Sequence, residues 1–439
     1  MCIEIITILL FLSLFALIFL GIPLAFSLGI VSIIFSYFLW GPESVFMLPT
    51  RTYQVMFHYV LIALPLFIFM GGILQESGIA DDMYQAIYVW MGPVRGGLLI
   101  GTILICVAFA AMSGVSAAAV LTMGTLALPA MIKRNYDKKI SMGSIMAGGA
   151  LGQLIPPSLL LILYGALSQV SVGKLFLGGV LPGLLLASLF IAFVLIRSAL
   201  DKNLCPAMSK DITPSIKTRE RVSSLKSIIF PTLLILGVLG SIFTGVATPT
   251  EAAGIGAAGS VLCAITNRKL NVSILKSVCI STLRSTSMVA WIMIGSYMFV
   301  SLYFAIGGDA YVKRILVESG LNAWFSIILI QIILMILGCI MDPGGVVMLC
   351  TPIFVPVIVA LGFDPLWFGV LFIVNLELAY ITPPFGYNLF YMKSVAPAGT
   401  GMADIYRAAI PFVIIDVIGL VLCMIFPKII TFLPNLLIK

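Results

Sequence analysis

Charge is scarce in this chain. Asp, Glu, Lys and Arg make up 9% of its 439 residues, against roughly 25% in a soluble globular domain. There is one histidine, His58, and no CxxC pair among the eight cysteines, Cys2, Cys106, Cys205, Cys263, Cys279, Cys339, Cys350 and Cys423. A lone histidine with unpaired cysteines does not assemble the usual zinc ligand set. The sequence also lacks a Gly-rich phosphate loop and a nucleophile–base signature, so an enzyme is not expected. The cysteines read as small lipid-buried hydrophobes, and His58 as an interfacial residue. The net charge of +7 calls for no nucleic acid; it fits cytoplasmic loops biased to Lys and Arg.

What is abundant is apolar. Hydrophobic residues make up 61% of the chain and mean hydropathy is +1.20. Runs of about 20 apolar residues specify membrane helices; barrel strands would alternate over about ten. The expectation is an all-α polytopic membrane protein with about 10–12 spans. The first run, Ile3–Leu39, lacks a basic leading region and a small-residue cleavage site, so it reads as retained. As one helix it would reach roughly 55 Å, beyond a hydrocarbon core of about 30 Å, and Gly21 and Pro23 split it in two.

Gly41–Tyr59 reads as a connecting segment, and Val60–Leu74 as a span interrupted by Pro65. Glu76–Met91 has the spacing of an amphipathic surface helix, with Ile79, Met83, Ile87 and Trp90 on one side and Asp81 and Asp82 on the other. Gly96–Ile132 is a long apolar run with MSGVS (Met112–Ser116) at its middle, followed by the basic loop Lys133–Lys139. Ser141–Gln169 is broken at Pro156-Pro157, and Lys174–Ile196 is a span. Arg197–Lys226 is the one long polar connection, carries seven Lys/Arg, and is cytoplasmic by the positive-inside rule. Ile228–Val246 and Ala252–Ile265 are two linking spans; Asn267–Arg284 is a second basic cytoplasmic stretch.

The order then recurs: span Ser287–Ala305, amphipathic Gly307–Gly320, long run Leu321–Ala360 with MDPGG (Met341–Gly345) at its middle, Leu366–Met392 broken at Pro383-Pro384, span Ala408–Ile430. Landmarks pair at near-constant spacing: Gly78 with Gly307, 229 apart; Gly92 with Gly320, 228; Pro129 with Pro356 and Pro156 with Pro383, 227 each. This divides the chain into residues 1–59 (leading spans), 60–197 (first repeat), 198–286 (loop and linking spans) and 287–430 (second repeat). The glycine-rich, polar run centres suit re-entrant helical hairpins with tips facing a cavity. Each repeat then crosses three times, and two linking spans make five crossings between repeat starts, so the repeats are inverted.

Inversion brings two tips and two helix breaks together near the midplane, the usual place for a transporter's site. A double proline removes two backbone donors, and freed carbonyls at half-helix ends attract cations. The first site offers Ser113, Gly114 and Ser116 facing Gly152, Ile155 and Pro157; the second offers Asp342, Gly344 and Gly345 facing Ala379, Thr382 and Pro384. Hydroxyls and carbonyls are hard ligands, and in-membrane titratable groups are few (Asp342, Glu377, Asp416 and Glu251), which favours Na⁺ over H⁺. At least two Na⁺ sites follow from the repeat. Ser158, Asn375, Glu377, Phe385, Tyr387 and Asn388 are candidates for a substrate cavity. Bland readings stand beside these. Ser113 and Ser116 could cap a half-helix, Asp342 could be an N-cap, and Asn375 and Glu377 could join helices.

At these motifs the chain resembles the large membrane subunit of TRAP (tripartite ATP-independent periplasmic) transporters. The resemblance runs nearly the whole length and is carried by LPLFIFMGG (Leu64–Gly72), SGVSAAA (Ser113–Ala119), LIPPS (Leu154–Ser158), ATPTEAA (Ala247–Ala253), MDP (Met341–Pro343) and NLELAYITPPFGYNLF (Asn375–Phe390). It implies an elevator-type carrier in a bacterial inner membrane that imports an organic anion, such as a C4-dicarboxylate or a sialic or sugar acid. It implies two partners, a small four-span membrane subunit on a separate chain and a periplasmic substrate-binding protein. One departure is Val115, where many members carry a hydroxyl, so any ligand there is backbone. The alternative is a stand-alone Na⁺- or H⁺-coupled dicarboxylate symporter of the same superfamily.

Topology is open to direct measurement. Single cysteines placed in Arg197–Lys226 are expected to react with a membrane-impermeant maleimide only from the cytoplasmic face. Labelling from the periplasm would overturn this topology.

Overall fold

The computed structural model describes residues 3–78, 82–83, 86, 90–91, 94–201, 204–206 and 218–438. All regular structure among them is helical. Two helices open the chain, α1 (Ile3–Phe19) and α2 (Leu24–Trp40), parted at Gly21, whose φ of +84° suits a residue without a side chain. Gly41–Tyr59 is more ordered than its sequence implies. A 3₁₀ turn (Pro42–Phe46) leads into α3 (Met47–Met56).

Pro65 does not interrupt its span. It lies in the first turn of α4 (Ala63–Glu76), where an N–H would have no helical partner, so its missing donor costs nothing. Half of the surface helix expected over Glu76–Met91 lies outside the described residues, as do residues 202–203 and 207–217 of the Arg197–Lys226 connection, and so does Cys2.

α5 (Gly97–Ser113) and α6 (Ser116–Ile132) form a hairpin closed by Gly114 and Val115. α7 (Lys138–Ala150) is capped by Asp137, which accepts from Lys139 and Ile140 N–H at 3.0 and 2.9 Å. The chain then breaks over Leu151–Ser158 and resumes as α8 (Leu159–Ser168) and α9 (Val172–Leu200). α10 (Thr218–Phe243) and α11 (Pro249–Thr266) link the halves. In ATPTEAA, Thr248 N–H and hydroxyl both donate to Glu251 at 2.8 Å. These bonds hold the exposed Glu251 carboxyl below its usual range. Glu251 therefore serves as the capping-box partner of Thr248 at the start of α11.

α12 (Val272–Ala305) absorbs part of the expected basic loop. Its 34 residues reach about 51 Å, longer than the apolar core, and its first 13 residues carry Lys276 and Arg284. Asn271 caps it, and no proline lies within it to stop the helix. α13 (Gly308–Leu316) is the short amphipathic helix. A second hairpin follows, α14 (Ala323–Ile340) and α15 (Pro343–Ala360), then a second broken pair, α16 (Pro365–Ile381) and α17 (Tyr387–Val395), then α18 (Met402–Ile425) and α19 (Lys428–Leu437). Six helical stretches among the described residues are long and apolar enough to cross a membrane, and shorter apolar helices accompany them.

Counterparts in the two halves run antiparallel. Tyr164, late in α8, donates to Pro365 O at the start of α16 (2.7 Å). Arg197, near the end of α9, lines one cleft with Arg407, near the start of α18. A Cβ on Gly419, far along α18, would stand 2.3 Å from Leu186, a corresponding distance back along α9. α2, α4, α11 and α12 pack together on one side, and the hairpins and broken helices pack on one another.

Helix association in lipid depends on close backbone approach, since lipid tails are as apolar as the side chains. Gly71 in LPLFIFMGG shows this. A Cβ there would stand 2.6 Å from Ser113 Cα, so α4 backs directly onto the first hairpin tip. Gly71→Ala is expected to cost about 1–3 kcal/mol by overpacking. Gly237→Ala, with open space around it, should not. Thermal unfolding of the purified protein in detergent compares the two, and equal midpoints would remove the close-approach account.

Candidate functional site

Helix termini build the site. Proline nitrogens at 156 and 157 cannot donate to the carbonyls four residues earlier, Gly152 and Gln153. Gln153 O is taken instead by the Ser158 hydroxyl, which also accepts Leu161 N–H and so caps α8. Gly152 O is left without a helical donor. In the second break the same rule frees Ala379 and Tyr380. Ala379 O accepts Thr382 N–H at 3.2 Å, which leaves Tyr380 O. Both proline pairs, Pro156-Pro157 and Pro383-Pro384, carry cis peptide bonds.

The first tip seats on the first break. Gly114 has φ +62°, and a Cβ there would stand 2.4 Å from Pro157 O. A Cβ on Gly152 would stand 3.3 Å from Ser116 N. Ser113, Gly114, Ser116, Gly152 and Pro157 therefore form one buried cluster. Ile155 packs outward against α9, where a Cβ on Gly183 would stand 2.5 Å from its Cγ1. The second tip sits beside the second break. Asp342 caps α15 by accepting Gly345 N–H at 3.4 Å. Its charge bears on the hydroxyls of Tyr380, Tyr387 and Tyr391. Gly338, one turn before the tip, lies against Ala379; a Cβ on it would stand 2.8 Å from the alanine's Cβ. Gly344 borders Leu163 of α8, and Gly345 abuts Leu24 of α2.

Two hydroxyls hold matching positions. Ser113 Oγ donates to Phe109 O (3.0 Å), and Thr382 Oγ1 donates to Leu378 O (2.7 Å). Thr382 Oγ1 thus keeps its lone pairs to present beyond the helix end, while Ser113 Oγ, which also reaches Val115 O (3.3 Å) and accepts Val115 N–H (3.4 Å), keeps one. Pro384 O accepts the Tyr406 hydroxyl at 3.0 Å.

The halves are joined at Asn388. Its Oδ1 accepts the Ser116 hydroxyl at 2.7 Å, and its Nδ2 donates to Met146 O at 2.9 Å. Asn388 is fully buried, so it ties the first tip, α7 and the second break together. Gln153 of the first break adjoins the Tyr380 hydroxyl of the second. Its Oε1 is buried and has no hydrogen-bond partner among the described residues. An orphaned oxygen at the centre is costly unless something binds it.

The remaining cavity candidates separate. Ser158 is an internal cap. Tyr387 stacks on Tyr380 (ring centroids 5.4 Å apart), and Phe385 is half exposed beside it. Asn375 donates to Gln331 O and Oε1 at 2.8 and 2.7 Å, which fastens α16 to α14. Glu377 is fully buried, within electrostatic reach of Asp416 on α18, and its oxygens accept no hydrogen bond among the described residues. Gln153, Tyr391 and Tyr406 are additions. Gln153 was visible as a polar residue inside an apolar run, whereas Tyr391 and Tyr406 look like ordinary aromatics until the fold places them.

The hydroxyls, freed carbonyls and orphaned Gln153 amide oxygen make an oxygen-only donor set fit for a hard monovalent cation. Among the described residues no three His, Cys, Asp or Glu cluster as a transition-metal site would require.

Known proteins of this kind exist. The sequence matches the family described as "Tripartite ATP-independent periplasmic transporter, DctM component" over residues 11–429. The C4-dicarboxylate TRAP transporter large permease protein DctM of Pseudomonas aeruginosa is 34% identical over 398 residues, 90% of this chain and 91% of that one. The sialic acid TRAP transporter permease protein SiaT of Haemophilus influenzae is 28% identical, across 96% of this chain and 67% of that one. These relatives are transport proteins and not enzymes. The fold is shared with the YdaH transporter of Alcanivorax borkumensis, at a TM-score of 0.61 and 13% identity, over 88% of this chain and 89% of that one. With its match running from the first helix to the last, the chain belongs to the DctM component family of tripartite ATP-independent periplasmic transporters.

Proposed function

We propose that this large permease subunit is a Na⁺-coupled secondary importer of the bacterial inner membrane. It takes up an organic anion handed over by a periplasmic binding protein and works beside a small four-span subunit. The observation that carries the reading is the meeting of two hairpin tips and two helix breaks around Asn388 and Gln153. Ser113, Ser116, Gly152, Gln153 and the Pro157 carbonyl would hold one cation; Asp342, Ala379, Tyr380, Thr382 and the second tip's glycines would hold the other. Bound there, each ion supplies positive charge at the cavity wall, where an anion's carboxylate gains from it. The relatives' names point to C4-dicarboxylates or sialic acid as the anion class.

The antiparallel halves and the packing of α2, α4, α11 and α12 on one another support an elevator: hairpins and broken helices would move together against that group, along the faces where α4 and α12 meet the hairpins. Asn388 and the breaks would keep the moving part rigid while its face changes.

Reconstitution tests the whole reading. Uptake in liposomes is expected to need an inward Na⁺ gradient, the small subunit and the binding protein; concentrative uptake by this chain alone would overturn the tripartite reading. Ser113→Ala and Thr382→Ala are each expected to raise the Na⁺ concentration for half-maximal uptake about tenfold, equivalent to ~1.4 kcal/mol of ion binding. Unchanged Na⁺ dependence in both would dismiss the ion sites.

A further inference from the structure

A cleft of about 460 Å³ opens where three helix ends meet: the start of α7, the end of α9 and the start of α18. The transport site does not use it. Its rim carries Lys139, Arg197 and Arg407, all exposed. The acid on its wall, Asp137, already has a carboxylate oxygen committed to Lys139 and Ile140 N–H. Among the described residues that line the cleft, three are cations and one is an anion. Its depth is apolar: Ile140, Phe193, Leu204, Pro411 and Phe412.

The placement matters as much as the charge. Arg197 lies in the last turn of an apolar 29-residue helix, and Arg407 lies in the second turn of an apolar 24-residue helix. Both stand at the depth where a long basic side chain leaves the hydrocarbon and reaches the headgroup layer. Arg presents a planar fork of donors that matches phosphate oxygens in pairs. A free phosphate would answer the rim but not the apolar depth. A polybasic mouth over an apolar floor, between helices at the membrane's edge, is complementary to an anionic phospholipid.

We propose that this cleft is a binding site for an anionic phospholipid, with Arg197 and Arg407 clamping the headgroup phosphate, Lys139 adding charge, and Phe193, Pro411 and Phe412 receiving the glycerol and upper acyl chain. The lipid would bridge both halves of the chain, since α7 and α9 belong to the first and α18 to the second. The cytoplasmic leaflet, rich in anionic lipid, is the side on which the basic loops place the cleft; the site itself does not depend on the transport reading.

The test is a binding measurement on the purified full chain. Its thermal unfolding midpoint is followed in detergent with phosphatidylglycerol, with phosphatidylcholine, or with inorganic phosphate at matched ionic strength. Phosphatidylglycerol is expected to raise the midpoint and to be retained in native mass spectra; phosphatidylcholine and phosphate should do neither. Arg197→Gln/Arg407→Gln is expected to abolish the phosphatidylglycerol-specific rise while matching the unmodified protein in phosphatidylcholine. Arg197→Lys/Arg407→Lys should keep part of it. Equal midpoints in the two lipids, or a full rise in the Gln variant, would overturn the site. An equal rise with inorganic phosphate would overturn the lipid as its ligand.

Discussion

In hydrocarbon a backbone carbonyl without a donor is costly, and this constraint organises the molecule. Two proline pairs create such carbonyls in the middle of α7–α8 and α16–α17. The surroundings answer them one at a time: Ser158 for Gln153 O and Thr382 N–H for Ala379 O. The hairpin tips close over the breaks, and their glycines permit contact that a Cβ would forbid. What remains unsatisfied, Gly152 O, Tyr380 O and Gln153 Oε1, lies where the two halves meet. Under the proposed function a cation answers them, because it would satisfy several oxygens at once without any hydrogen-bond donor.

Close approach recurs wherever these parts must be held. Gly179 and Gly183 let α9 press on Leu154 and Ile155 of the first break, Gly143 lets α7 meet Ala408 and Phe412, and Gly71 brings α4 onto Ser113. Small residues in a membrane protein thus map the contacts more directly than large ones do. The LPLFIFMGG motif carries its meaning in its glycines, one on the hairpin tip and one on Val278 of α12.

Much of this was legible in the sequence. Double prolines inside apolar runs announce breaks by elementary sterics, and MSGVS and MDPGG announce tips. The element order of the second half could be read against that of the first. Other features were beyond reach for definable reasons. Pro65 reads as an interruption unless the helix start is known to within a turn. The basic stretch before α12 reads as a loop because charge masks a helix that is capped and free of proline. Asn388 could be placed near the cavity, but its bond to Ser116, 272 positions away, depends on the relative placement of the halves. Asp416 is an isolated acid in the sequence and becomes Glu377's neighbour only when α18 packs on α16.

The two halves repeat a scaffold but not a chemistry. The first tip contributes hydroxyls and peptide groups, all neutral. The second contributes Asp342, with three tyrosines within its field. Where Asp342 is ionised, a cation at the second site would meet a formal negative charge, whereas one at the first would be held by dipoles alone. Charge attraction in a low-dielectric interior exceeds dipole attraction at equal distance. Under the proposed function the second site therefore fills first. Filling it neutralises Asp342, the carboxylate that would otherwise repel an arriving anion. The first site, with no carboxylate of its own, then keeps its ion's charge free to attract the substrate. Under the proposed function, two unequal tips would thus take different tasks: one removes repulsion, and the other supplies attraction.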